Sequence, residues 1–339
     1  MKKNTILIIA SIIFTLVLTD VVLYFSHYRY LIGKFVHPQF YYQKDEEIGF
    51  DIKPNFATTT HIFSDGEYPI WSNSLGCFDE EYKGEIPYIY LTGDSFTWGF
   101  APFENKWGTI LEKELNIRVL KCGVNGYGTR EELIKTTRHL GKLPLPELII
   151  VGYTEGNDII DNINFPAGTV QNGYLMRNLA KNGVTKEEAE IKYDLLDRYC
   201  TSVPPKYPIL QKVKCWLHNY SVLYNVAGKI RSYFSVSENQ DSIEKDSFSE
   251  EEYNTHLEDI RKFKLLADQK GVKLLFVLIQ GDTKELKFFL GKERISYIDL
   301  ETLNDKSFRW GIDGHWNIEG NRIAGEKVAK FITDFLDIK

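Results

Sequence analysis

The 339-residue chain is poor in the residue patterns that hold metals and nucleic acids. Its four cysteines, Cys77, Cys122, Cys200 and Cys215, include no Cys-x-x-Cys pair, and its seven histidines form no His-Glu-x-x-His or other ligand spacing. A metal centre is therefore not indicated. The formal net charge of −6, with no basic stripe, omits the electrostatic footprint that phosphate backbones require, and nucleic acid is set aside as a partner. There is no internal repeat. What is present is globular material, 43% hydrophobic and 26% charged, enough for a core without cross-links. Cys200 and Cys215 are near enough in sequence to pair in an oxidising compartment, with buried or free thiols as the open alternative. Cys122 falls inside a predicted core strand.

One long apolar run, Thr5 to Phe25, follows Lys2 and Lys3 after a single asparagine, Asn4. As a helix it is roughly 31 Å long, the thickness of a bilayer core. No small-residue cleavage site follows it. The expectation is an uncleaved single-pass anchor over 5–25, with residues 1–4 as a cytoplasmic tail and the bulk of the chain extracytoplasmic. Arg29 and Lys34 compete with Lys2 and Lys3 in setting that orientation. Asp20 is the one ionisable group in the run, either tolerated near the interface or turned toward a partner helix.

Residues 26–85 are aromatic and turn-rich without helical periodicity, which reads as an extended stem or a β-hairpin cap. From Ile86 onward apolar strands alternate with amphipathic helices, the pattern of a parallel sheet covered on both faces. Strands are expected at 88–92, 118–122, 147–153, 272–279 and 296–300, and helices at 107–115, 130–140, 250–269 and 318–336, the last capped by Asn317. The predicted fold is a three-layer α/β/α domain over 86–339, doubly wound around a mainly parallel five-stranded sheet. Residues 159–248 form an insertion with helical patches and no clear strand, suited to a lid, a partner surface or a small subdomain.

Chemistry is expected at the C-terminal ends of the strands. The first ends in Gly93-Asp94-Ser95-Phe96-Thr97-Trp98-Gly99, which offers a serine hydroxyl in a strand-to-helix turn. This is not a Gly-x-Ser-x-Gly elbow, because Thr97 stands where the second glycine belongs. Gly-Asp-Ser alone also describes a capping serine, so a nucleophile needs a base and an anion pocket from elsewhere. The second strand gives way to Gly123-Val124-Asn125-Gly126-Tyr127-Gly128, whose glycine order does not match a dinucleotide loop. The third ends in Gly156-Asn157-Asp158, where an amide side chain could turn toward Ser95. Near the C-terminus stands Asp313-Gly314-His315-Trp316-Asn317, with the acid two residues before the imidazole and able to fix its tautomer.

In order and strand position these four blocks resemble those of the SGNH/GDSL hydrolases. The resemblance covers Ile86 to the C-terminus apart from the insertion. It implies a flavodoxin-like sheet, Ser95 as nucleophile, His315 as general base and Asp313 as its orienting acid. It also implies an oxyanion hole from the backbone N–H groups of Ser95 and Gly126 and the side chain of Asn157, with no cofactor. Many relatives place the acid three residues before the histidine, which here is Ile312. The shorter Asp-x-His spacing is similar to that of SGNH-type polysaccharide O-acetyltransferases, and Asp299 is the reserve acid. The implied activity is ester hydrolysis on an O-acylated cell-envelope glycan or lipid, with acyl transfer and a non-catalytic glycan-binding role as alternatives. Asn73-Ser74-Leu75-Gly76-Cys77-Phe78-Asp79 is similar to a segment before the serine block of membrane-anchored relatives, and reads as pocket rim or plain turn. Trp98, Trp310 and Trp316 read as a sugar platform or as core.

Overall fold

The computed structural model describes residues 2–26, 38–63, 66–171, 173–177, 213, 216–217, 220–235, 249–280, 284–310 and 314–335. Arg29, Lys34, Asp313, Cys200, Cys215 and the expected helical patch at 186–199 lie outside them. In chain order the elements are α1 (Lys2–Tyr24), β1 (Tyr42–Asp45), β2 (Gly49–Ile52), β3 (Thr59–Phe63) and β4 (Gly66–Ile70). Then come β5 (Tyr88–Gly93), α2 (Ser95–Trp98), α3 (Trp107–Leu115), β6 (Arg118–Lys121), α4 (Thr129–Leu140), β7 (Leu148–Thr154) and α5 (Glu155–Ile163). The rest are β8 (Gly168–Gln171), β9 (Tyr174–Arg177), α6 (Val222–Ser235), α7 (Glu250–Lys270), β10 (Lys273–Gln280), α8 (Lys284–Lys292), β11 (Ser296–Asp299) and α9 (Ile318–Phe335).

The chain packs as two compact units, one of residues 1–36, 62–67 and 190–244, the other of 37–61, 68–189 and 245–339. In the first, α1 contains a span, Asn4–Tyr24, long and apolar enough to cross a membrane, with mean hydropathy 2.7 and none of it buried. The second holds a sheet of order β11-β10-β7-β5-β6, with every pairing parallel. Renumbered by sequence within the sheet, that order is 2-1-3-4-5, the doubly wound arrangement whose switch point lies between the first and third strands, here β5 and β7. All five strands match the expected positions to within one residue at each end.

Alternation along the strands sends successive side chains to opposite faces. Tyr88 and Tyr90 of β5 join Ile149, Val151, Phe276, Ile260 and Phe263 on one face, under α4, α7 and α8. Ile89 and Leu91 join Ile150, Val277, Trp107 and Val328 on the other, under α3 and α9. Each such buried side chain contributes about 1.5–3 kcal/mol, so the strand set is fixed by hydrophobic burial on both sides. The helix ends use expected caps: Ser249 Oγ accepts the Glu252 N–H while the Glu252 carboxylate accepts the Ser249 N–H, and Asn317 Oδ1 accepts the Gly320 N–H.

Two features differ from the sequence reading. The insertion, expected to lack strands, opens with the antiparallel hairpin β8–β9. Gly49, at φ +78° after β1, lies where an added Cβ would meet the Gly168 carbonyl of β8, so the β1–β2 hairpin packs closely on that insertion hairpin. The second difference is a disulfide between Cys77 and Cys122, which joins the 73–79 segment to the end of β6.

Candidate active site

The 73–79 segment is more than a turn. Asn73 Oδ1 accepts the N–H groups of Leu75 and Cys77, and its Nδ2 donates to the Glu80 carbonyl. Asp79 is fully buried and pairs with Arg118 at 2.9 Å and Lys121 at 3.1 Å on the edge strand β6. Phe78 lies against Trp98, with ring centroids 5.3 Å apart, and the buried Lys106 ammonium sits 4.2 Å from the Phe78 ring centre and donates to the Phe78 carbonyl. The segment thus supports the short helix that begins with Ser95. Trp98 and Trp316 are interior residues, Trp98 donating from Nε1 to the Tyr41 hydroxyl at 3.0 Å, so neither forms an exposed sugar platform. Trp310 is half-buried and donates from Nε1 to the Phe100 carbonyl.

Ser95 is the first residue of α2, and Asp94 is its N-cap, with Oδ1 accepting the Phe96 N–H at 2.9 Å. The end of β6 continues beside β5: Cys122 N–H donates to the Leu91 carbonyl and Val124 N–H to the Gly93 carbonyl, which brings the glycine turn toward Ser95. Gly126 there has φ +87°. Gly123 has no room for a side chain, because a Cβ would come within 2.8 Å of the Thr97 and Trp98 backbone.

Arg309 and Trp316 are joined by an antiparallel bridge, and His315, directly before Trp316, is held within reach of Ser95. The Trp310 N–H donates to the His315 carbonyl, and Arg309 Nη1 donates to the Gly314 carbonyl at 2.5 Å. The imidazole stands against two phenylalanines, with ring centroids 4.8 Å from Phe96 and 4.3 Å from Phe100. Its Nε2 is 2.7 Å from Ser95 Oγ. That contact leaves Nδ1 as the nitrogen for an orienting acid, the tautomer in which Nε2 accepts the serine proton. Asp313, the acid expected there, lies outside the described residues. Asp299, the reserve, is engaged elsewhere, with Oδ2 2.6 Å from Lys287 Nζ.

The strand order thus sets Ser95 at the switch point of a doubly wound sheet, with His315 within hydrogen-bond distance of it. The fold is of the doubly wound, flavodoxin-like class. Among solved structures the chain is similar to a member of the lipolytic protein G-D-S-L family from Veillonella parvula, at 14% identity and TM-score 0.38, covering 74% of this chain and 99% of that one. It is also similar to the acetyl xylan esterase Est2A from the rumen bacterium Butyrivibrio proteoclasticus, at 11% identity and TM-score 0.41, covering 76% of this chain and 66% of that one. These overlaps are loose, and the fold class follows from the strand order itself. No protein-family model matches the sequence, and no curated protein matches it significantly.

Asn157 is in the first turn of α5, exposed, with Nδ2 donating to Asp94 Oδ2 at 3.3 Å. One amide hydrogen is thereby tied to the residue before Ser95, and the amide has a second to donate. The sequence reading assigned Asp94 no role, although it stands in the serine block. Behind it are further buried carboxyls. Burial, the neighbouring Asp158 and Asp94 hold Glu132 well above the usual carboxylate range, and burial and Asp94 do the same for Asp158. Glu131 is pushed up to about 7, chiefly by burial. Asp158 Oδ2 accepts the Thr154 N–H at 2.6 Å, which caps α5 and sets the start of the turn that carries Asn157. Among the described residues the one close group of sulfur and imidazole atoms is Cys77, Cys122 and His139, and its two sulfurs are bonded to each other rather than available as thiolates.

Proposed function

We propose that the chain is a membrane-anchored serine esterase that cleaves an acyl ester through a Ser95 acyl-enzyme. The 2.7 Å contact between His315 Nε2 and Ser95 Oγ carries this reading. His315 takes the Ser95 proton as Oγ attacks the ester carbonyl, and Asp313 holds Nδ1. The N–H groups of Ser95 and Gly126 and the Asn157 amide receive the oxyanion, one such donor contributing about 3–4 kcal/mol in the transition state. His315 then returns its proton to the leaving alcohol and activates water to release the acid.

Helix α1 serves as the anchor, with the larger unit outside the cytoplasm. The Cys77–Cys122 disulfide supports that side, since such bonds persist in oxidising compartments. The substrate class is an O-acyl group on a cell-envelope glycan or lipid. A sugar hydroxyl in place of water would make the same residues an acyltransferase, the outcome that the Asp-x-His spacing favours.

A fluorophosphonate probe should label the wild-type protein, and Ser95→Ala should abolish labelling without altering the melting transition. Equal labelling of the alanine variant would remove Ser95 from the mechanism. Following the acyl group from acetylated glycans, with and without acceptor sugars, separates hydrolysis from transfer. Binding of polysaccharide by a folded protein that never forms an acyl-enzyme would instead support the non-catalytic role.

A further inference from the structure

Asp20 lies in the apolar span of α1, where a carboxylate is costly unless satisfied. Its Oδ1 accepts the Leu223 N–H at 2.8 Å, at the start of α6 in the same unit. The N-terminus of α6 is otherwise capped from within, Ser221 Oγ accepting the Tyr224 N–H at 3.0 Å. Asp20 therefore supplies a second cap from another helix, and its negative charge suits the positive end of the α6 dipole. The contact also fixes a depth. Asp20 precedes the end of the span at Tyr24 by one turn, about 6 Å, so Leu223 stands where α1 leaves the apolar layer.

The chain beside that point is exposed and aromatic. Trp216 is 59% exposed and Tyr220 51%, one helical turn apart with ring centroids 5.9 Å from each other, and the turn they occupy runs into α6 through the Ser221 N–H donating to the Leu217 carbonyl. Ile230 of α6 is also exposed. Tyr24 and Phe25 form a second aromatic pair at the end of α1. Trp and Tyr collect at the headgroup level of bilayers, where an apolar ring and a polar tip are both accommodated. The sequence of α6 holds no acidic residue, which suits contact with anionic headgroups.

We infer that Trp216, Tyr220 and α6 lie in the membrane–water interface, with the phospholipid headgroup layer as their partner and Asp20 of α1 setting their depth. The inference rests on α1 being a membrane anchor. The test uses the full chain in vesicles of phosphatidylcholine with a minority of phosphatidylglycerol, brominated either near the headgroup end or near the methyl end of the acyl chains. The Trp216 emission is the difference between wild type and Trp216→Phe. Bromine near the headgroup should lower it roughly twofold and lower it more than bromine near the methyl end does. Asp20→Asn, which keeps an accepting oxygen, should preserve the effect, and Asp20→Leu should at least halve it. Unquenched Trp216 emission, or stronger quenching from the methyl end, in protein that survives alkaline extraction overturns the interfacial placement and leaves the anchor standing. Unchanged quenching in Asp20→Leu overturns the role of Asp20. Loss of the protein from vesicles on alkaline extraction overturns the anchor reading and this inference with it.

Discussion

The Asp94 carboxylate is divided between two tasks, Oδ1 accepting the Phe96 N–H beside Ser95 and Oδ2 accepting from Asn157 Nδ2. In Asp94→Asn one oxygen becomes an NH2 group, which faces a donor on either side, so one of the two hydrogen bonds must be lost. A hydrogen bond to a charged group contributes about 1.5–3 kcal/mol. If the lost bond is the one that aims Asn157, and Asn157 meets charge only in the transition state, kcat/KM should fall about 10- to 150-fold with little change in KM. Stability should not fall with it. Burial first, against the opposing Phe96 N–H, Asn157 amide and His315, leaves the Asp94 carboxyl above its ordinary value. A carboxyl with a raised folded-state pKa binds more protons in the folded than in the unfolded protein, so stability falls as pH rises through the window between the two values, and the deficit is complete above it. Asparagine carries no charge and removes that deficit. The assay pairs nitrophenyl-ester kinetics with thermal melting on the full chain at neutral pH, and the expected result is reduced turnover at an unchanged or higher Tm. Activity within about twofold of wild type, or a Tm that falls in step with activity, would refute the bridging role.

Other expectations follow from separate contacts. The Cys77–Cys122 bond closes a loop with a sequence separation of 45, which in the chain-entropy account stabilises by about 4 kcal/mol, so the Cys77→Ser, Cys122→Ser double variant should lose that much in urea unfolding; a free-thiol mass shift in the unreduced wild type at both positions would contradict the bond. Lys106 is fully buried and burial brings its ammonium down to about 7, so the unfolded chain binds the extra proton and stability should rise with pH from about 7 toward the ordinary lysine range; Lys106→Met should flatten that rise and stabilise the protein below it, and an unchanged pH profile would count against a buried lysine. Asp313→Asn should reduce turnover by orders of magnitude, whereas Asp299→Asn, which weakens a partly exposed pair with Lys287, should stay within about twofold; the reverse ranking would make Asp299 the triad acid.

Sheet and helices were legible because their signals are local. Runs such as Tyr88 to Thr92 bury both faces, and Trp107–Leu115 appears at the bounds its periodicity predicts. The Ser95 and His315 positions were legible as blocks, but their contact joins residues far apart in sequence and only the fold brings them together. The Cys77–Cys122 bond was not legible, since Cys77 sits in a segment with no periodicity and disulfide partners are chosen by geometry rather than spacing. The β8–β9 hairpin was missed because its four-residue strands, unlike the equally short β6 and β11, do not fall in the strand-and-helix alternation that marks the sheet. Asp94 was read past because a capping acid and an acid that also bridges to Asn157 look alike in sequence.

The glycines around Ser95 show how the sheet builds the turn. In sequence the serine is flanked by Gly93 and Gly99, but the glycine that matters with Gly93 is Gly152, its register partner on β7. A Cβ at Gly93 would come within 2.2 Å of Thr97 Oγ1, and one at Gly152 within 2.0 Å of the same atom. Both strands must be bare at this level so that Thr97, one turn after Ser95's cap, can settle onto the sheet between them. Gly123 removes the third obstacle, beneath the Thr97 and Trp98 backbone. Three strands, β5, β6 and β7, therefore each give up a side chain near their C-terminal ends to the same short helix. The helix seats low, with Asp94 buried against α5 and Ser95 turned toward His315. That shared clearance at the switch point makes the placement of the hydroxyl a property of the sheet rather than of the loop that carries it.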